Sequence, residues 1–204
     1  MKIPKQADTQ ISINSLIASR WSGRAYDSEL IVSNEQIMAM LEAAHWAPSC
    51  FGDEPWRYIV CNRHTNEKSW QNALNCLVEG NQQWAKHAPV LIVALANTIF
   101  SGQDKENRWG EYDTGAASIS MCLQATELGL MTHQMGGILS EKIIDFFSVP
   151  AEFTPMTIMS VGYQLSKERV PSEMLEREMA VRKRKPFDEL FFAGHWGEIF
   201  SRDI

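Results

Sequence analysis

The chain has 204 residues, of which 45% are apolar and 22% charged, and a formal net charge of −6. That length supports one good-sized core and a single domain spanning residues 1–204. The acidic balance argues against nucleic acid as the main partner.

The first predicted helix covers Ile11 to Ser19, with Ile13, Leu16 and Ile17 on one face. Arg20-Trp21-Ser22-Gly23-Arg24 follows it. Ser33 opens a second helix: Ser33-x-x-Gln36 is a capping box, Val32 can staple onto Ile37, and Pro48 ends the run. A loop carrying Ser49 and Cys50 then leads to a short strand, Tyr58 to Cys61. Glu67 to Val78 reads as a helix with Trp70, Ala73, Leu74 and Leu77 on one face, and Asn81 to Trp84 lies just beyond it.

Val90 to Ala96 is continuously apolar, the pattern of a strand covered on both faces. The run from Pro89 to Ala96 is too short to span a bilayer, which takes about 20 residues, so no membrane segment is expected. Asn97 to Gly110 is polar and carries Phe100 and Trp109. Thr114 to Leu128 is a helix apolar on nearly every side, buried all round or between two chains, and Gly129 closes it. Met131 to Gly137 is a short segment ending in a glycine pair. Ser140 caps a helix through Phe147, Thr157 to Tyr163 is a third apolar strand, and a charged stretch follows from Ser166. That stretch holds Arg182-Lys-Arg-Lys185, and an aromatic tail ends the chain. Helices alternating with strands suggest a central sheet with helices on its faces.

Three stretches could carry chemistry. Arg20-x-Ser22-x-Arg24 places two guanidinium groups and a hydroxyl close together, a set suited to phosphate oxygens; it also reads as a solvated basic helix end. Arg182-Lys-Arg-Lys185 is a second basic cluster in an acidic chain. Gly136-Gly137 can bring bare backbone near a flat ligand or simply make a turn. There is no G-x-S-x-G, no H-E-x-x-H and no P-loop. The five histidines lack ligand spacing, so no metal is expected. The four cysteines lack C-x-x-C spacing, and Met1 to Ser15 lacks a secretory h-region, which together suit a reduced, cytoplasmic setting. Anion- and ring-binding stretches without acid–base machinery point to a cofactor that performs the chemistry.

Four ordered stretches resemble the FMN-dependent nitroreductase family: SRWSGRAY from Ser19, WAPSCFGDEPWRY from Trp46, the helix from Asp113 to Leu130 ending ELGL, and RKRKP from Arg182. The resemblance implies an α+β fold with a mostly antiparallel sheet flanked by helices. It also implies an intertwined homodimer with shared sites and a C-terminal arm, about 186–204, wrapping the partner. It implies FMN as cofactor, with Arg20, Ser22, Arg182 and Arg184 at the phosphate and Trp21 in the same stretch. Arg24 falls near flavin N1 and C2=O, and Pro48, Ser49 and Cys50 fall along the ring and ribityl. The resemblance also implies that Asn81 contacts the flavin and that Met135, Gly136 and Gly137 face N5. Phe100, Trp109 and Tyr112 are candidates for stacking a small-molecule substrate. The implied activity passes hydride from NADH or NADPH to a nitroaromatic or quinone acceptor by a ping-pong route. Alternatives are a flavin enzyme with a narrow physiological substrate (a dehydrogenase or reductive dehalogenase), a non-catalytic FMN-binding module, or an interaction protein without the cofactor. The chain departs from the family pattern at Gly52 and Glu54 of the second stretch, where relatives often carry Asn and Gln, and at Trp84, where some carry Lys.

Overall fold

The strand with the most apolar sequence lies in the interior. The computed structural model describes residues 3 and 5–200, and in it β2 (Val90–Asn97) is buried along its whole length. Alternation along the strand divides its side chains between two cores. Leu91, Val93 and Leu95 face one, and Val90 and Ile92 face the other.

β1 (Trp56–Asn62) pairs with one edge of β2 and β4 (Phe153–Gly162) with the other, and β3 (Met131–Met135) pairs with β4. The order is β1-β2-β4-β3, and all three pairings are antiparallel. The β2–β4 register slips between Ala94 and Leu95, where Pro155 of β4 stands opposite Leu95 and has no N–H to give the ladder.

Helices cover both faces. α2 (Asn34–His45) and α5 (Gly110–Glu127) bury Ile37, Met40, Ala44, Ala117, Met121 and Ala125 against Val90, Ile92 and Met159. On the opposite face, α3 (Glu67–Asn75), α4 (Glu79–Ala85) and α6 (Ser140–Phe147) contribute Trp70, Leu74, Trp84 and Ile143. α1 (Ser15–Ser19) and α7 (Ser172–Met179) lie outside these layers in sequence and carry the loops that matter below. None of the helices among the described residues is long and apolar enough to cross a membrane.

The Ser33 capping box forms as read, with both reciprocal hydrogen bonds. Several boundaries differ from expectation. Asn14 caps α1, so the helix begins at Ser15 and leaves Ile11 and Ile13 outside it and exposed. α3 stops at Asn75, because Leu77 instead pairs as a bridge with Ile138. Asn81 sits within α4 rather than beyond a helix. Ser140 is the first residue of α6, and the capping position is Leu139, whose N–H donates to Cys76 O at 2.7 Å. α5 starts at Gly110, four residues before Thr114. That start demands glycine, since a Cβ there would lie 2.1 Å from the carbonyl oxygen of Asn97 at the end of β2. Residues 201–204 of the expected arm lie outside the described residues.

Candidate functional site

The loop from Arg20 to Arg24 leaves α1 and carries four of the predicted residues, Arg20, Trp21, Ser22 and Arg24. Arg20 Nη1 donates to Ser22 Oγ at 3.2 Å, so the two predicted phosphate groups are already adjacent. Arg182 comes from beyond α7 and donates through Nη1 to the carbonyls of Lys5 (2.8 Å) and Ala18 (2.7 Å). One arm of its fork therefore fastens the N-terminal segment to α1. Burial lowers the Arg182 pKa, and the nearby charges of Arg20 and Arg184 lower it further. Three guanidinium groups thus repel one another at one place, and no ion pair to any of them forms among the described residues. A set of donors short of counter-charge is what a phosphate would complete.

Arg24 reaches the other side of the loop, into a cleft of about 650 Å³. The cleft is walled by α4 and α7, with Asn81, Trp84, Arg177 and Glu178 among its lining. Trp84 is 5% exposed; its indole lies 5.2 Å from the Arg24 guanidinium carbon and 4.7 Å from the ring of His133. The indole N–H has no hydrogen-bond partner. Asn81 Nδ2 donates to Gly137 O at 3.3 Å, and Val78 N–H donates to the same carbonyl at 3.0 Å. Asn81 and the glycine pair are therefore brought together, and a Cβ added at Gly136 would meet nothing within 4 Å. Bare backbone next to open space suits close approach by a planar group.

Two buried groups fix this arrangement, and neither is among the predicted site residues. Glu178, 2% exposed, accepts the backbone N–H of Arg24 through Oε1 at 3.0 Å. Burial raises its pKa, while the backbone N–H groups of Arg24 and Ala25 act the other way. A signal existed in the sequence: Met174, Leu175 and Glu178 share one helical face, and the first two pack in a small core with Ile3, Ala25 and Val170. His133 Nδ1 lies 3.1 Å from Gly23 O. Burial, with Arg24, Arg177 and Arg20 behind it, lowers its pKa to about 4, so the ring is neutral near pH 7.

Pro48, Ser49 and Cys50 are elsewhere. The Cys50 N–H donates to Asp113 Oδ2 at 2.9 Å, at the N-terminal end of α5. Arg20 and Trp21 instead share a crevice with Thr126, Gly129 and Leu130 at the C-terminal end. Asp113 and Thr126 are separated by about 20 Å of helix, at 1.5 Å per residue. The structure does not bring the two halves of the predicted site together within one chain.

The loop at Cys50 also explains a departure in sequence. Gly52 has φ +68, Phe51 φ 56 and Glu54 φ 48, left-handed positions at which Gly is the unstrained choice and Asn is tolerated. Glu54 Oε2 lies 3.7 Å from His45 Nε2, and its N–H donates to Ser49 Oγ at 3.0 Å. Trp56 is buried in the α2–α5 core. Of the stacking candidates, Phe100 is buried and lies 6.0 Å from the exposed Phe51 ring, whereas Trp109 and Tyr112 are exposed and face each other edge-on at 6.5 Å.

A nitroreductase family model matches residues 17–163, most of the chain and all four strands. The chain belongs to the nitroreductase family. A solved oxidoreductase containing FMN is 31% identical, superposes with a TM-score of 0.87, and is covered in full by 97% of this chain. A nitroreductase-family protein from Clostridium difficile 630 is 25% identical with a TM-score of 0.68, over 88% of this chain and 96% of its own. In sequence, a protein of Methanothermobacter thermautotrophicus provisionally named NADH dehydrogenase/NAD(P)H nitroreductase is 28% identical over 171 residues, 80% of this chain and 84% of that protein. The α+β fold with its antiparallel sheet agrees with the nitroreductase expectation.

Proposed function

We propose that this nitroreductase-family chain is an FMN-dependent NAD(P)H oxidoreductase. The observation that carries the reading is the cluster of Arg20, Arg182 and Arg184 beside Ser22, cations in one place without ion-pair partners among the described residues. Bound FMN supplies the redox chemistry: hydride from NADH or NADPH is taken at N5 and passed to a nitroaromatic or quinone acceptor in a ping-pong cycle.

The chain's own residues bind and orient. Arg20, Ser22 and Arg184 hold the phosphate, together with the free arm of Arg182. Arg24, propped on Trp84, presents positive charge to the flavin edge where negative charge develops on reduction. Asn81 and the Gly136-Gly137 backbone border the face at which hydride arrives. None of these side chains needs to act as a general acid or base, since water can supply protons.

A homodimer completes the site in this reading. Pro48, Ser49 and Cys50 are about 20 Å of helix away from Arg20 in the same chain, so a second copy must bring its own loop to the first copy's arginines. The free side of α5 is built for such a contact. Tyr112, Gly115, Ala116, Ile119 and Leu123 line it, and no charged residue occurs on α5 between Asp113 and Glu127. Antiparallel packing of two such helices would place the N-terminal end of one beside the C-terminal end of the other, as a two-fold axis requires. The exposed Phe187, Phe191, Trp196 and Phe200 would form the arm on the partner.

The test is anaerobic addition of NADH and, separately, NADPH to the yellow protein. Bleaching that reverses on adding a quinone is expected. A yellow protein that neither nicotinamide bleaches would overturn the enzyme reading, and a colourless one that takes up no added FMN would overturn the cofactor as well.

A further inference from the structure

We propose that Arg177 and Arg24 together form a two-guanidinium site for the electron-rich pyrimidine edge of reduced flavin, so that Arg177 sets how much more tightly the chain holds reduced than oxidised FMN. This rests on the FMN reading above and adds to it a residue from α7 that the sequence patterns do not single out.

The cleft between α4 and α7 has a volume of about 650 Å³, and both arginines line it. No carboxylate lies within ion-pair distance of either guanidinium among the described residues. The acidic groups nearby are engaged otherwise. Glu178 accepts the Arg24 backbone N–H and bears on the Arg24 charge less than Arg177 does, and Glu173 on the same wall accepts from Ser172 Oγ at 3.4 Å. Lys86 and His87 add no negative charge to the lining. Arg177 bears on Arg24 strongly enough to lower its pKa, next after burial itself. Both cations also bear on His133, which stays neutral and so supplies no counter-charge.

At Arg24 the repulsion from Arg177 outweighs the attraction of Glu178, and an anion arriving at the cleft offsets that repulsion. Trp84 keeps Arg24 from turning away, since its buried indole lies 5.2 Å from the guanidinium carbon. Oxidised flavin is neutral at its ring, whereas the reduced ring carries negative charge at N1 and C2=O. A second cation at that edge therefore favours the reduced form selectively, whereas cations at the phosphate favour both forms alike.

The experiment compares the FMN-loaded wild type with Arg177→Met and Arg177→Lys. It measures oxidised-FMN affinity by fluorescence titration and the flavin midpoint potential by anaerobic dye-coupled reduction, with the exposed Lys68→Met as a charge control. The Arg177 side chain makes no hydrogen bond among the described residues, and its backbone contacts do not depend on the side chain, so the methionine variant should fold with an unchanged Tm. The expected result is a loss of at least tenfold in the reduced-to-oxidised affinity ratio for Arg177→Met, a potential about 30 mV more negative for a two-electron couple. Arg177→Lys should recover most of that loss, and Lys68→Met should not move the potential. An unchanged potential in Arg177→Met overturns the proposal while leaving FMN binding intact. An equal weakening of both redox forms also overturns it, since that result assigns Arg177 to the phosphate. Failure of the wild type to bind FMN at all is a different outcome, which overturns the cofactor reading and this proposal with it.

Discussion

The backbone N–H of Cys50 donates to Asp113 Oδ2 at 2.9 Å, tying the Pro48–Cys50 loop to the first turn of α5. Asp113 is 5% exposed, so this is a charged hydrogen bond made largely out of water. The same loop is held a second time, by Asp53, whose carboxylate accepts Ser101 N–H at 2.9 Å and Asn107 Nδ2 at 3.0 Å. A loop with three left-handed residues keeps its shape through these two carboxylates.

Asp113→Ala leaves the Cys50 N–H without its acceptor and should destabilise the fold by about 1–3 kcal/mol. Asp113→Asn keeps an acceptor oxygen and should cost less. Urea denaturation of the two variants measures the difference. In a shared-site dimer, Asp113→Ala should also weaken FMN binding, although its own chain's arginines lie at the far end of α5.

Where the sequence carried a strong local signal, it was readable. The Ser33 capping box and the unbroken apolar run at Val90 to Ala96 gave α2 and β2 with boundaries close to those observed. α4 and α7 lacked such signals: both are short, and Val78 and Pro171 precede them without a side-chain cap. The end of α3 was set by the distant bridge between Leu77 and Ile138, which no local pattern encodes. The arginines were legible as a candidate anion site because cations clustered in an acidic chain are unusual. The acids that hold the loops were not, because Glu178 at Arg24, and Asp113 and Asp53 at the Cys50 loop, read as ordinary surface acids until tertiary contacts bury or engage them. Phe100 looked like a free stacking ring and is instead packed in the base of its loop.

His133 should make stability depend on pH between about 4 and 6.5. Its folded pKa, about 4, lies below the ordinary value of 6.5. Within that window the unfolded chain binds a proton that the native ring does not. Stability from this group is therefore fully present above about 6.5 and is lost as pH falls toward 4, a change on the order of 2–3 kcal/mol. Denaturation midpoints collected across that range should show the fall, and His133→Gln should flatten it.

Glu178→Ala should free the Arg24 segment, since it removes the acceptor of a buried backbone N–H. A loss of about 1–3 kcal/mol is expected, together with weaker FMN binding as Arg24 and Ser22 lose their fixed positions. Glu178→Gln preserves an acceptor oxygen and should restore most of both. Chemical denaturation and FMN titration on the same samples separate the fold effect from the site effect.

Arg20→Ala should raise the FMN dissociation constant about 10- to 150-fold, the range for a charged hydrogen bond of about 1.5–3 kcal/mol. Its fold should be little changed, because among the described residues the one side-chain hydrogen bond lost is the 3.2 Å contact to Ser22 Oγ. Equilibrium titration with FMN and a thermal melt test both halves. Unchanged affinity would remove Arg20 from the site.

The glycine pair should respond asymmetrically. At Gly137 an added Cβ would lie 2.8 Å from Asn81 Nδ2 and 2.8 Å from Val78 Cγ2, so one of them must move. Asn81 is fastened to Gly137 O and Val78 is anchored through its own N–H to the same carbonyl, so neither yields freely. Gly137→Ala should therefore cost about 1–3 kcal/mol as an overpacked contact and shift Asn81 from the place where it would meet the flavin. At Gly136 a Cβ meets nothing and φ is not in the left-handed region, so Gly136→Ala should change stability by no more than about 0.5 kcal/mol. Thermal melts of the two variants in the absence of FMN test the packing argument by itself. FMN titration then tests the site, since a Gly137→Ala protein that loses stability but keeps wild-type FMN affinity would detach Asn81 from flavin binding.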